Sequence, residues 1–188
     1  MAGKSSTASG TARLNVDDWV TAALELLAEG GVAAVKIDKL CARLGVTKGS
    51  FYWHFDDFES FLSAVAERWG EDRDAIRGEF AKLADLPPRE RISAMIELLF
   101  DPREWPLDRA VREWARTDMK VRDRVARSDR WVAVQVRKAL LEMGFPKDEA
   151  EIRAMGLFYA GVGLIHAPSD SPRGGPRERA RLVEILTT

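Results

Sequence analysis

Side chains that carry catalysis or bind metals are scarce in this sequence. Its two histidines, His54 and His166, stand far apart, and Cys41 is its one cysteine. That leaves no disulfide, no multi-thiolate zinc set and no histidine pair for a transition metal. No Gly-rich phosphate loop and no nucleophile elbow occurs. Carboxylates are abundant, yet those within Arg109 to Arg130 alternate with arginines and read as solvated helix faces. No catalytic residue, no metal site and no cofactor is therefore expected, and the chain does not read as an enzyme. One stretch differs: Ile37-Asp-Lys-Leu-Cys-Ala-Arg-Leu-Gly-Val-Thr-Lys-Gly-Ser-Phe-Tyr-Trp-His-Phe55. It gathers hydroxyls, ammonium groups and flat rings with polar tips, a set that suits phosphate oxygens, sugars and thymine methyls.

To present those groups, two short helices must meet at Gly45, where a tight turn favours a residue that tolerates positive φ. The first is expected from about Ile37 to Leu44, the second from after Thr47 to about His54. Leu40, Leu44, Val46, Phe51 and Phe55 can close a small shared core, with Cys41 as a buried apolar neighbour. That arrangement is a helix-turn-helix, whose second helix enters the major groove by its N-terminal part. The expected DNA contacts are Thr47, Lys48, Gly49, Ser50, Tyr52, Trp53 and His54, with Lys36 and Lys39 nearby.

A helix ahead of the motif is marked by Asn15 as N-cap, acids Asp17 and Asp18, an apolar face of Val20, Ala23, Leu24 and Leu27, and a stop at Gly30-Gly31. Asp56 with Glu59 reads as a capping box opening a long helix to about Leu83. Leu86-Pro87-Pro88 breaks the pattern, and further helices are expected at about 88–100, 106–117, 120–143, 148–166 and 176–187. Strand signals are nearly absent, so the fold should be all-α. The expected organisation is an arm over 1–13, a DNA-binding domain over 14–56 and a helical domain over 57–188.

The run Gly45-Val-Thr-Lys-Gly-Ser-Phe-Tyr-Trp-His-Phe55 resembles the turn and recognition helix of the TetR family of bacterial transcriptional regulators. Ala23…Leu27…Gly30-Gly31 upstream and Glu59…Phe61-Leu62 downstream also fit, so the resemblance covers roughly residues 14–65. It implies a homodimer that binds a palindromic operator in double-stranded DNA, represses transcription, and leaves when a small effector occupies the C-terminal domain. Two positions depart from the family pattern: Lys36 replaces the usual Ser or Thr cap, and Phe58, preceded by Asp56 and Asp57, stands where Lys is frequent.

A net charge of −1 gives no global attraction to DNA. An arm carrying Lys4 and Arg13 could add minor-groove contact; plain disorder is the other reading. No run approaches the length of a membrane helix and no signal peptide is evident, which points to a cytoplasmic protein with no membrane association. Dimerisation is expected through the last two helices, with Gly156, Ala160 and Gly163 at one-turn intervals and Leu157, Leu164, Leu182, Val183 and Leu186 supplying apolar contact. The chain has six tryptophans. Four lie beyond the motif, Trp69, Trp105, Trp114 and Trp131, and either fill the core or line a ligand cavity formed by Trp69, Met95, Leu99, Trp114, Trp131, Gln135, Phe158 and Tyr159, with Arg112 as a further polar group. Such a lining would favour a bulky hydrophobic effector. A helical protein-interaction module with a vestigial DNA-binding domain is the alternative from another class.

Overall fold

The computed structural model describes residues 14–99, 103–167 and 176–188. They form α1 (Val16–Gly30), α2 (Ile37–Leu44), α3 (Lys48–His54), α4 (Phe58–Ala81), α5 (Pro88–Leu99), α6 (Trp105–Trp114), α7 (Met119–Glu142), α8 (Lys147–His166) and α9 (Pro176–Leu186). A 3-10 turn, Val32–Ala34, joins α1 to α2 and was not foreseen. No strand occurs among the described residues, so the fold is all-α, as expected. The arm with Lys4 and Arg13, and the loop over 168–175, lie outside them.

The helix ends follow local chemistry. Asn15 Oδ1 accepts from the Asp18 amide at 3.0 Å while the Asn15 amide donates to Asp18 Oδ2 at 2.8 Å, a closed capping box. Gly45 closes α2 at φ +69°, ψ +33°, a left-handed position that penalises any Cβ. The fourth helix begins one residue later than expected. Its cap is Asp57, whose Oδ1 accepts from the Ser60 amide at 2.7 Å, and not Asp56 with Glu59. The shift turns the half-buried Phe58 and the fully buried Phe61 onto one packed cluster, so the rings decide between two capping frames of similar chemistry.

Two apolar clusters build the molecule. The first joins Trp19, Ala23 and Leu27 of α1, Leu40 and Cys41 of α2, Phe51 of α3, and Phe61, Val65 and Trp69 of α4 to Val111 and Trp114 of α6 and Val121 of α7. Phe51 sits at its centre, edge-on to Trp19 at 5.5 Å and to Phe61 at 5.2 Å between centroids. One core thus spans the expected domain boundary, because α1 packs on α6. The second cluster unites Phe80, Ile92, Met95, Val136, Leu140, Ala154, Leu157 and Val183 at the far end. Leu157 and Val183 are therefore core residues, where an outward apolar face had been expected. The outer face of α8 carries Ile152, Met155 and Tyr159 instead, and α9 adds Leu182 and Ile185, all exposed. No helix among the described residues is long and apolar enough to cross a membrane.

Phe51 is fully buried, so Phe51→Ala should cost about 3–5 kcal/mol of unfolding free energy, enough to consume much of a small domain's stability. Urea unfolding followed by tryptophan fluorescence reads this directly; a loss below about 1 kcal/mol would contradict the central placement.

Candidate nucleic-acid interface and apolar cavity

On α3 the buried Phe51 fixes which way every other side chain points. With Phe51 turned inward, its neighbours Tyr52 and Trp53 are 57% and 66% exposed, large values for aromatic residues on a helix. Thr47, Lys48 and Gly49 are also exposed at the start of α3, and Ser50 is half-buried. Thr47 is the N-cap residue, but its hydroxyl bonds no helix amide. Lys36 and Lys39 are exposed on and beside α2, and Lys36 likewise caps with backbone alone. His54 differs from the rest. It is half-buried, 4.7 Å edge-on from Trp53 and 6.3 Å from Trp19 between centroids, so it props the aromatic face from behind.

Ion pairs that the sequence did not reveal surround this face. Lys48 Nζ lies 2.6 Å from Asp38 Oδ1, joining α3 to α2. The hydrogen bond and charge of Asp38 hold the Lys48 ammonium above the ordinary lysine pKa. Arg43 donates to Glu29 at 2.6 Å and Glu25 at 3.3 Å, tying α2 to α1 and directing this cation away from the exposed surface of α3. Spacing alone hides such pairs, since their partners sit on different helices.

The second site lies between α4, α5, α6, α7 and α8. Of the residues expected to line a ligand site, Trp69, Met95 and Phe158 meet there, around a cavity of about 50 Å³. The other expected lining residues do not join them. Trp114 is buried in the first cluster because α6 packs on α1, and Tyr159 is 63% exposed on the opposite side of α8. Trp131 and Gln135 face a separate cleft of about 400 Å³ beside Arg77 and Phe80. The side chain of Leu99 lies outside the described residues. Arg112 does line the cavity, within a chain of charges: Arg73 Nη2 donates to Asp108 Oδ1 at 2.7 Å, Arg112 Nε to Asp108 Oδ2 at 3.3 Å, and Arg112 Nη1 and Nη2 to both oxygens of Asp129 at 2.9 and 2.7 Å. Burial opposes the Arg112 charge, but the Asp129 hydrogen bonds and the charges of Asp108 and Asp129 outweigh it, so its pKa lies above the ordinary arginine value. Asp129 had read as part of a solvated helix face; both its oxygens are in fact bonded by Arg112, and Asp108 is 5% exposed. Among the described residues no cluster of metal-ligating side chains occurs.

Comparison with known proteins agrees with this architecture. The profile of the bacterial regulatory proteins of the tetR family matches residues 20–65. Over that segment the chain is similar to the TetR family. The class D tetracycline repressor of Escherichia coli is 40% identical over 55 residues, 29% of this chain, and the match covers 25% of that repressor's length. A transcriptional regulator from Rhodococcus sp. Rha1 superposes with a TM-score of 0.72 at 18% identity, covering 93% of this chain and 94% of that one. A transcriptional regulator of the TerR/AcrR family from Aquifex aeolicus VF5 superposes at 0.60 with 22% identity, covering 92% and 95%. Beyond residues 20–65 the likeness is thus one of fold.

The TetR-matched segment begins in α1 and ends in α4, and so includes α2, α3 and the contact of Phe51 with Phe61, while Trp19 lies just before it. Both departures from the TetR pattern have a visible consequence. Lys36 leaves the α2 cap without a side-chain bond, and Phe58 exchanges a surface cation for packing against Phe51 and Phe61.

Replacing Asp38 by Asn should lower the Lys48 pKa toward the ordinary lysine value. Because the folded pKa is raised, the pair contributes stability below the ordinary lysine pKa and loses it as pH rises through the folded one. A Lys48 titration by NMR that is unchanged by Asp38→Asn would show the pair absent in solution.

Proposed function

We propose that this protein is a sequence-specific DNA-binding transcriptional regulator, a repressor that works as a homodimer and leaves its operator when a small molecule enters the C-terminal cavity. The observation that carries it is the rigid presentation of α3: Tyr52, Trp53 and Lys48 stand in solvent while Phe51, one residue from Tyr52, is locked in the core. A surface of that composition, on the second helix of a TetR-type helix pair, fits the major groove. Thr47, Gly49, Ser50, Lys36 and Lys39 complete the proposed contact set, with His54 as support for Trp53.

A single helix-turn-helix covers too few base pairs for useful discrimination, so a palindromic operator calls for two copies. The exposed stripe of α8 suits this. A Cβ added at Gly156 or Gly163 would meet nothing within 4 Å in the single chain, so a second helix has room to approach. Ile152, Met155, Tyr159, Leu182 and Ile185 would supply the apolar contact. For release, the cavity must bind differently in the DNA-bound and DNA-free arrangements, since equal affinity shifts nothing. Trp69 and Arg73 place one wall of it on α4, the helix whose first turn packs against α3.

Selection from random duplex DNA should return an inverted repeat with half-sites about one turn apart. On that duplex, Lys48→Ala combined with Tyr52→Ala should lower affinity at least tenfold, and Lys48→Ala alone should reduce the log–log salt slope by about one. Unchanged affinity of the double variant removes α3 from the interface. In sedimentation the protein should be a dimer at micromolar concentration, and Met155→Arg should shift it toward monomer; a dimer indifferent to that charge places the interface elsewhere.

A further inference from the structure

The cavity between α4 and α8 has two chemistries. Ile96, Val132, Leu157 and Phe158 make one part apolar, and the Arg73, Asp108, Arg112 and Asp129 chain lies in the other. Counting hydrogen bonds among these charges shows which valences are unspent. All four carboxylate oxygens of Asp108 and Asp129 already accept from a guanidinium. Arg73 spends only Nη2, and its guanidinium lies 5.3 Å over the Trp69 ring. Trp69 itself is 4% exposed, and its indole Nε1–H has no acceptor. A buried donor left unmade is costly in a folded protein, and here it belongs to a side chain that lines the cavity. What the cavity lacks is an acceptor.

We infer that this cavity, taken as the effector site of the regulator proposed above, binds a molecule with an apolar tail and a carboxylate head, the head accepting from the Trp69 indole and the remaining N–H groups of Arg73. The four side-chain charges cancel, so a carboxylate and an ammonium would each add one charge to a neutral group. The carboxylate gains charge-assisted hydrogen bonds from Arg73 N–H groups that no carboxylate of this chain of charges accepts. An ammonium finds every carboxylate oxygen already accepting from a guanidinium and must share it with that cation. A neutral hydroxyl accepts from Trp69 without gaining the charge of Arg73. The tail meets side chains with no competing polar groups, and Ser128 at the margin offers a hydroxyl that serves either way.

The present void of about 50 Å³ is well below the roughly 300–1,000 Å³ of an occupied ligand site. An amphipathic acid therefore binds only after the lining helices separate. That requirement gives the acid a preference for one arrangement over the other, the differential affinity any switch needs. Because Arg73 is on α4, Asp108 and Arg112 on α6 and Asp129 on α7, a carboxylate seated on the remaining N–H groups of Arg73 joins the chain of charges that ties those helices.

The test uses the full chain and three probes with one tail: octanoate, octan-1-ol and octylammonium, below their aggregation concentrations. By calorimetry, octanoate should bind at least about tenfold more tightly than the other two. Trp69→Phe removes the indole N–H together with the five-membered ring and enlarges the void, a loss of packing that all three tails share; octanoate should therefore weaken about tenfold relative to octan-1-ol and octylammonium. Arg73→Gln serves as a second variant, with the same expected order. Equal binding of the three heads, tighter octylammonium, no binding of octanoate, or octanoate affinity untouched by both variants would overturn the assignment. Duplex affinity of the unliganded protein is read separately. Octanoate selectivity in a protein that binds no duplex supports the cavity assignment and overturns the regulator reading.

Discussion

The seven residues of α3 are too few to hold a helix in water, where peptides shorter than about 12–15 residues are marginal, so its geometry is imposed from outside by the packing of Phe51 against Trp19 and Phe61. This contact orients the exposed Tyr52 and Trp53. It also joins α3 to α1 and α4 in one cluster, which reaches α6 and α7 through Val111, Trp114 and Val121. The helix pair α2–α3 is therefore not a separate module on a tether. It shares its interior with the helices that enclose the cavity, and any rearrangement of α4 or α6 is felt in the packing beneath α3.

How much of this was legible in the sequence follows from the range of each interaction. Helix ends are written by local rules: Asn15 with Asp18, Gly45 and Pro146 each act within one turn, and the observed limits lie close to those expected. The errors arise where distant residues decide. Asp56 with Glu59 and Asp57 with Ser60 are equally plausible caps until Phe58 and Phe61 choose a frame by packing. Trp114 has the right periodicity for the cavity, but α1 covers it. Tyr159 and Leu157 are neighbours on one helix with opposite fates, because α8 packs by one face and leaves the other bare.

Charge was the least legible feature. Arg112 and Asp129, seventeen positions apart, look in sequence like members of a solvated run. Folding brings them together with Asp108 and Arg73 in a mostly buried chain of alternating sign, where leaving one partner unpaired costs far more than at a surface. Lys48 with Asp38 and Arg43 with Glu29 are exposed cross-helix pairs of the same kind, and they decide which cations remain for a phosphate. Sequence supplies the inventory of charges. The packing of α1, α4, α6 and α7 determines which are spent internally.

The single thiol of the chain, on Cys41, is 7% exposed beneath α2, and burial raises its pKa above the ordinary value. A buried, protonated thiol is a slow nucleophile. It reacts with an alkylating reagent only during the moments when α2 lifts from α1 and α4. The protein thus carries a built-in clock for the breathing of its helix pair, since the rate of Cys41 alkylation counts openings that equilibrium spectroscopy averages away.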